Sequence, residues 1–131
     1  VMARRLMVRA AAAGFPRALN DLGVMWETGA GGDPDPVRAA EHYEAAARAG
    51  DPLGAWNLAD LLLRTDVAPN DPARGYAWCL WAEDNAPNPA TRAGFRDRCA
   101  RATAALSADE RARGAALFLQ LRPFTPAPAA P

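Results

Sequence analysis

Residues 15–50 read FPRALNDLGVMWETGAGGDPDPVRAAEHYEAAARAG, and the next 36, residues 51–86, read DPLGAWNLADLLLRTDVAPNDPARGYAWCLWAEDNA. Laid over one another without a gap, the two stretches agree at six positions: Pro16/Pro52, Leu22/Leu58, Asp35/Asp71, Pro36/Pro72, Arg38/Arg74 and Ala46/Ala82. Four more pairs keep a small residue, namely Ala18/Gly54, Gly23/Ala59, Ala39/Gly75 and Gly50/Ala86. The same shift lays residues 1–14 over 37–50, matching Val1, Ala3, Ala10, Ala11, Ala13 and Gly14, so the chain opens on half a repeat. A fixed period in the range of about 20–50 residues marks a solenoid, whose units stack because none buries its apolar face alone. Function is then expected on a surface.

Helix boundaries follow from the dipeptides Asp35-Pro36, Asp51-Pro52, Asp71-Pro72 and Asn88-Pro89, each just ahead of an Ala-rich periodic stretch. The side-chain oxygen accepts from an unsatisfied N–H of the first turn, and proline at the first helical position supplies the right φ where its missing N–H costs nothing. Asp33-Pro34 belongs to the loop before Asp35. Ser107, with Glu110 three residues on, forms a capping box. These starts predict helices near 2–13, 16–28, 36–49, 52–64, 72–85, 89–105 and 108–121, with Gly14, Gly29 and Gly50 ending three of them. No strand pattern appears.

The predicted class is therefore all-α, an α/α solenoid of helix-turn-helix repeats with a C-terminal helical cap. Its divisions are the second helix of an incomplete leading repeat (1–14), two repeats (15–50 and 51–86), a capping helical hairpin (87–122) and a disordered Pro-rich tail (123–131). In the hairpin, Phe95, Cys99, Ala102 and Leu106 on one helix and Ala115, Phe118, Leu119 and Leu121 on the other fall at helical spacing. Its charged composition suits a cap, which a solenoid needs over its last exposed face.

At 131 residues the chain is one domain's worth, small for a solenoid. Half of it is hydrophobic, but much of that is alanine, which packs helices closely while burying little area per residue. All fifteen basic residues are Arg and there is no Lys or Ile, a pattern we read as GC-rich codon usage. Net charge is zero but unevenly placed: three Arg and no acids in 1–14, five Arg against twelve acids in 15–86, and seven Arg against three acids in 87–131. An acidic body with basic ends offers no continuous basic stripe, which argues against a nucleic-acid partner and against an anionic membrane surface. No apolar run approaches the roughly 20 residues of a membrane span. RRLMVRAAAAG, residues 4–14, is broken by Arg9 and reads as a repeat helix rather than a signal peptide. The compartment is left open between cytoplasm and periplasm.

Once aligned, the repeat resembles the Sel1-like repeat family, relatives of the tetratricopeptide repeat with a longer unit and loop. ALNDLGVMWETG at 18–29 carries a small residue, Leu22-Gly23, an aromatic at Trp26 and Gly29. The stretch 29–50 continues with the glycine loop, Asp35, Ala39, Tyr43, Ala46-Ala47 and Gly50. In the second repeat Leu58, Asp71, Trp78 and Ala82 fit, whereas Thr65 and Val67 stand where loop glycines are usual. YAWCLWA at 76–82 resembles the form these repeats take at the end of an array. The resemblance implies a tetratricopeptide-like superhelix that serves as a scaffold or adaptor for protein complexes, often in bacterial signalling or at the envelope, and it brings no enzymatic residues.

Residues able to do chemistry are few. His42 aligns with Trp78 and is expected to fill an aromatic slot between helices, since a lone His lacks partner ligands at recognisable spacing. Cys79, in the place of Tyr43, and Cys99, on an apolar stripe, are expected as buried free thiols, with a bridge between them open if the protein is exported. Gly29, Gly31 and Gly32 follow no strand and precede no Lys-Ser/Thr, so they form an interhelix loop and no phosphate cradle. Asp33, Asp35 and Glu41 lack the spacing of a calcium loop. The expectation is a non-catalytic chain with no metal and no cofactor.

A protein or peptide partner is expected on the inner helical face. By analogy with tetratricopeptide units, that face shows Arg17, Asn20, Val24 and Glu27 from the first repeat, and Leu53, Trp56, Asp60, Leu63 and Arg64 from the second. Trp56 aligns with polar Asn20 and stands near Asp60 and Arg64 at helical spacing, and Trp and Arg are enriched among interface hot spots. The competing reading has Trp56 covering a neighbouring helix. Two further expectations concern the open N-terminal end: self-association through it, and a chain that is the C-terminal repeat segment of a larger bacterial envelope, signalling or enzyme protein.

Overall fold

A computed structural model describes residues 2–121, all of whose regular structure is helical. The helices are α1 (Met2–Ala12), α2 (Pro16–Thr28), α3 (Pro36–Arg48), α4 (Pro52–Leu63), α5 (Pro72–Asp84), α6 (Pro89–Ala102) and α7 (Ala108–Leu121). Each Asx-Pro pair does open a helix. Asp35 accepts from the Arg38 N–H at 3.1 Å, Asp51 from Leu53 at 3.0 Å, Asp71 from Arg74 at 3.3 Å and Asn88 from Thr91 at 2.8 Å. The capping box closes both ways: the Ser107 N–H donates to Glu110 at 2.9 Å and the Glu110 N–H to the Ser107 hydroxyl at 3.0 Å. α2 ends at Gly29 with φ of 80°, a left-handed turn that an L side chain resists.

Consecutive helices from α1 to α6 pack on one another, and α2, α4 and α6 also touch across the repeats. The result is two layers, with α2, α4 and α6 in one and α3 and α5 in the other. α3 is thereby held between α2 and α4, and α5 between α4 and α6. The crossings are close because small residues line them. A Cβ on Gly23 would lie 2.5 Å from the Tyr43 ring, so the aromatic of α3 rests directly on the backbone of α2. The core combines Leu22, Tyr43, Leu58, Leu61, Leu62, Trp78 and Trp81 with fully buried alanines such as Ala39, Ala47, Ala59 and Ala82.

The two interhelix loops of the repeats reach the same end differently. In the first, the Asp35 N–H returns to the Trp26 carbonyl at 2.7 Å; 36 residues on, the Asp71 N–H returns to the Leu62 carbonyl at 2.8 Å. The first loop uses Gly29 and Gly31 at positive φ. The second has no residue at positive φ; the Asn70 side chain donates to the Leu62 and Arg64 carbonyls at 3.1 and 2.7 Å, and Val67 packs against the core. Side-chain hydrogen bonds thus replace the turn glycines.

Beyond α5 the array departs from expectation. The hairpin of α6 and α7 packs otherwise than its sequence suggests: α7 lies along α5, as α6 does, and the two terminal helices meet through the hydrogen bond from Arg111 to the Thr103 carbonyl rather than along their lengths. Gly114 permits this return, since a Cβ there would be 2.8 Å from the Ala73 carbonyl oxygen and from the Tyr76 ring. α6 also ends sooner than predicted, at Ala102; Thr103 is buried and its hydroxyl donates to the Cys99 carbonyl at 2.6 Å. The expected free thiols are corrected as well. Cys79 of α5 and Cys99 of α6, with Cα atoms 5.8 Å apart, form a disulfide. The expected Pro-rich tail, 123–131, lies outside the described residues.

Candidate partner-binding face

The first-layer helices α2 and α4 lie side by side and carry most of the residues expected on the inner face. Arg17 and Val24 are exposed on α2, and Leu53 on α4. Glu27, Asp60 and Arg64 come together: Arg64 reaches Asp60 at 2.8 Å and Glu27 at 3.3 Å, joining α4 to the end of α2. Glu27 also accepts from the Tyr43 hydroxyl at 2.6 Å. Burial, the hydrogen bond to Glu27 and its negative charge all push the Tyr43 hydroxyl above its ordinary pKa, so it stays a donor throughout the physiological range.

Asn20 is placed differently from expectation. It is buried, and its side-chain oxygen accepts from the Asn57 amide at 2.9 Å. A buried polar group without a partner is costly, and this bond satisfies Asn20 while tying α2 to α4. Asn57 was not among the expected residues. Its signal was present: Asn20 and Asn57 are 37 positions apart, one more than the repeat, so the overlay sets Asn20 opposite Trp56 while the helix crossing brings it to Asn57. Trp56 and Leu63 are half-buried against the core, and Leu63 fills the space above Gly75. Trp56 therefore serves packing with part of its ring and leaves the rest at the surface.

The other candidates take structural roles. His42 stacks on Trp26 with ring centroids 6.5 Å apart, and its Nδ1 lies 2.7 Å from the Arg38 carbonyl. The Arg38 guanidinium also lies over the Trp26 ring, 4.9 Å from its centroid. Among the described residues no group of three or more His, Cys, Asp or Glu is arranged to hold a metal ion. On the opposite side of the molecule a shallow groove of about 420 Å³ runs between α3 and α5, floored by Leu58 and Leu62. Glu44 spans it, joined to Arg74 of α5 at 2.6 Å and to Arg48 of its own helix at 3.1 Å, so three of the groove's charged side chains are paired within the protein.

These features, a two-layer array with a 36-residue unit, a glycine-ended first helix and an Asp-capped second, meet a family model over one unit. The Sel1 repeat model matches residues 16–51. The chain carries a Sel1 repeat. The matched segment comprises α2, the glycine loop, α3 and the Asp51 cap of α4. No curated protein matches the chain significantly. Sel1 repeats generally mediate protein–protein interaction and are non-catalytic as a family. No helix among the described residues is long and apolar enough to cross a membrane.

Proposed function

We propose that this protein is a non-catalytic scaffold that binds a partner protein or peptide along the face formed by α2 and α4. The observation that carries this reading is the cross-helix polar seam on that face: Asn20 to Asn57 at one level, and Glu27 to Arg64 and Asp60 at another. Such a seam fixes the spacing of the two helices, so the side chains flanking it (Arg17, Val24, Leu53 and the open part of Trp56) are presented at set distances. Preorganisation of this kind lowers the ordering cost of association. In contrast, three of the four charged side chains of the α3–α5 groove, Glu44, Arg48 and Arg74, pair with one another, and Glu41 is the one left to meet a ligand.

The test uses peptides selected from a random library on the immobilised protein and then measured by calorimetry. Binding is expected to fall at least tenfold, roughly 1.4 kcal/mol, in a Val24→Glu, Asp60→Lys double variant of unchanged helicity, and to be unaffected by Glu41→Lys on the other side. Loss with Glu41→Lys and retention with the double variant would move the binding face to the α3–α5 side.

A further inference from the structure

α6 is attached unlike any other helix of the array. α4 and α5 bury six and seven residues, whereas α6 buries Phe95 and Cys99 and ends on buried Thr103. The remainder of its surface carries no large apolar side chain, only small residues such as Ala90 and Ala93 and polar ones, with Arg92, Arg96 and Arg98 exposed. Its ion pair to α5, Arg96 with Glu83 at 2.7 Å, is made by an arginine that is 68% exposed and so is weak. One of its two buried helical side chains is itself the half-cystine bonded to Cys79. Both sulfur-bearing residues are buried, Cys79 completely, so a reductant meets the bond only when α6 lifts.

We propose that the Cys79–Cys99 disulfide is a redox clamp on α6: oxidised, it fixes the helix over the end of the array, and reduced, it lets α6 leave while α2–α5 and α7 stay folded. The exchange is balanced by a dithiol reductant. Its thiolate attacks one sulfur of the bridge, the second thiol closes the reductant's own disulfide, and two electrons and two protons end on Cys79 and Cys99 as thiols. A small-molecule disulfide reverses the step. α7 keeps its place without the clamp because it packs along α5, through Gly114; its tie to α6 is a hydrogen bond from Arg111 to the Thr103 carbonyl, at the end of α6 nearest the connecting loop. Lifting α6 uncovers the side of α5, and the edge of α4, that it covers in the closed state. The state of this end then follows the thiol poise of its surroundings.

Hydrogen–deuterium exchange read by mass spectrometry, on the whole protein oxidised and then treated with a dithiol at one pH, tests this. The expected result is a loss of protection of tenfold or more confined to residues 89–102 after reduction. A Cys79→Ser, Cys99→Ser variant should show the same exchange without reductant. A Cys99→Leu variant, which restores apolar bulk without the bond, should return part of the protection and make it insensitive to dithiol. Unchanged exchange in α6 after confirmed reduction would overturn the proposal. So would equal loss across α2–α5, which would make the bond a global staple, and so would two titratable thiols in protein prepared under oxidising conditions.

Discussion

The repeated body, α2 to α5, and the terminal helices, α6 and α7, are built of helices of similar length and are held by different means. In the body each second-layer helix is gripped from two sides, and α5 buries residues over most of its circumference. At the end, α6 fully buries two residues and α7 only Gly114, with Phe118 and Leu121 half-buried against the core. Burial in a stacked array thus follows from position between neighbours more than from the amphipathic pattern of one helix. Where that grip stops, the chain substitutes a covalent bond, a capping box and one close backbone contact.

If the body is held by apolar burial, Trp81 is where it breaks. It is 1% exposed and meets Trp78 edge to face at 5.8 Å. Trp81→Ala is expected to destabilise by about 3–5 kcal/mol, read from urea unfolding. A loss below about 1 kcal/mol would mean that the body does not depend on the rings buried by α5.

Two glycines sharpen the contrast within the terminal helices. Gly114→Ala places a methyl 2.8 Å from a backbone oxygen that cannot swing aside, and is expected to cost about 1–3 kcal/mol and to raise amide exchange in α7. Gly94→Ala on α6 meets nothing within 4 Å and is expected to stabilise by about 0.5–1 kcal/mol, the helix preference of Ala over Gly. Equal signs for the two in thermal melts would contradict the return of α7 onto α5.

Helix starts were legible because Asp-Pro and Asn-Pro act locally: the cap and the proline need only the next turn of chain. The stacking of α2 to α5 was legible because the spacing of small residues repeats. What escaped the sequence depends on how helices cross. The overlay at 36 residues hides the Asn20–Asn57 bond, which crosses the repeat one residue out of register. Whether α7 joins α6 or turns back to α5 is decided by Gly114 against Ala73 and Tyr76, a contact with no periodic trace. The partnership of Cys79 and Cys99 likewise depends on the approach of α5 and α6, which spacing alone left open. Trp56 packs on the core as the competing reading has it, and only part of its ring is left at the surface, a division that the alignment with Asn20 does not reveal.

The smallest expected effect separates body from end by its sign. Asp51, the cap of α4, has its carboxyl pKa raised by burial, against the hydrogen bonds from Leu53 and Gly54 that lower it, and its Oδ2 is buried without a hydrogen-bond partner. A carboxylate whose folded pKa lies above its unfolded value makes the native state bind the extra proton, so it weakens stability as pH rises through the folded pKa and does so fully above it. Asp51→Asn keeps a cap acceptor and removes the charge; it should raise the melting temperature at neutral pH, with the gain vanishing below the ordinary aspartate value of about 3.8. Glu110 of α7 behaves oppositely, its pKa lowered first by the hydrogen bond from the Ser107 N–H. It adds stability above the ordinary glutamate value, and that stability is lost as pH falls through the folded pKa. Glu110→Gln should therefore lower the melting temperature at neutral pH and match the unsubstituted protein in acid. Melting curves of both variants from pH 2.5 to 7 should converge on the parent from opposite sides; curves offset from it by a constant amount would show that neither carboxyl is coupled to folding in this way.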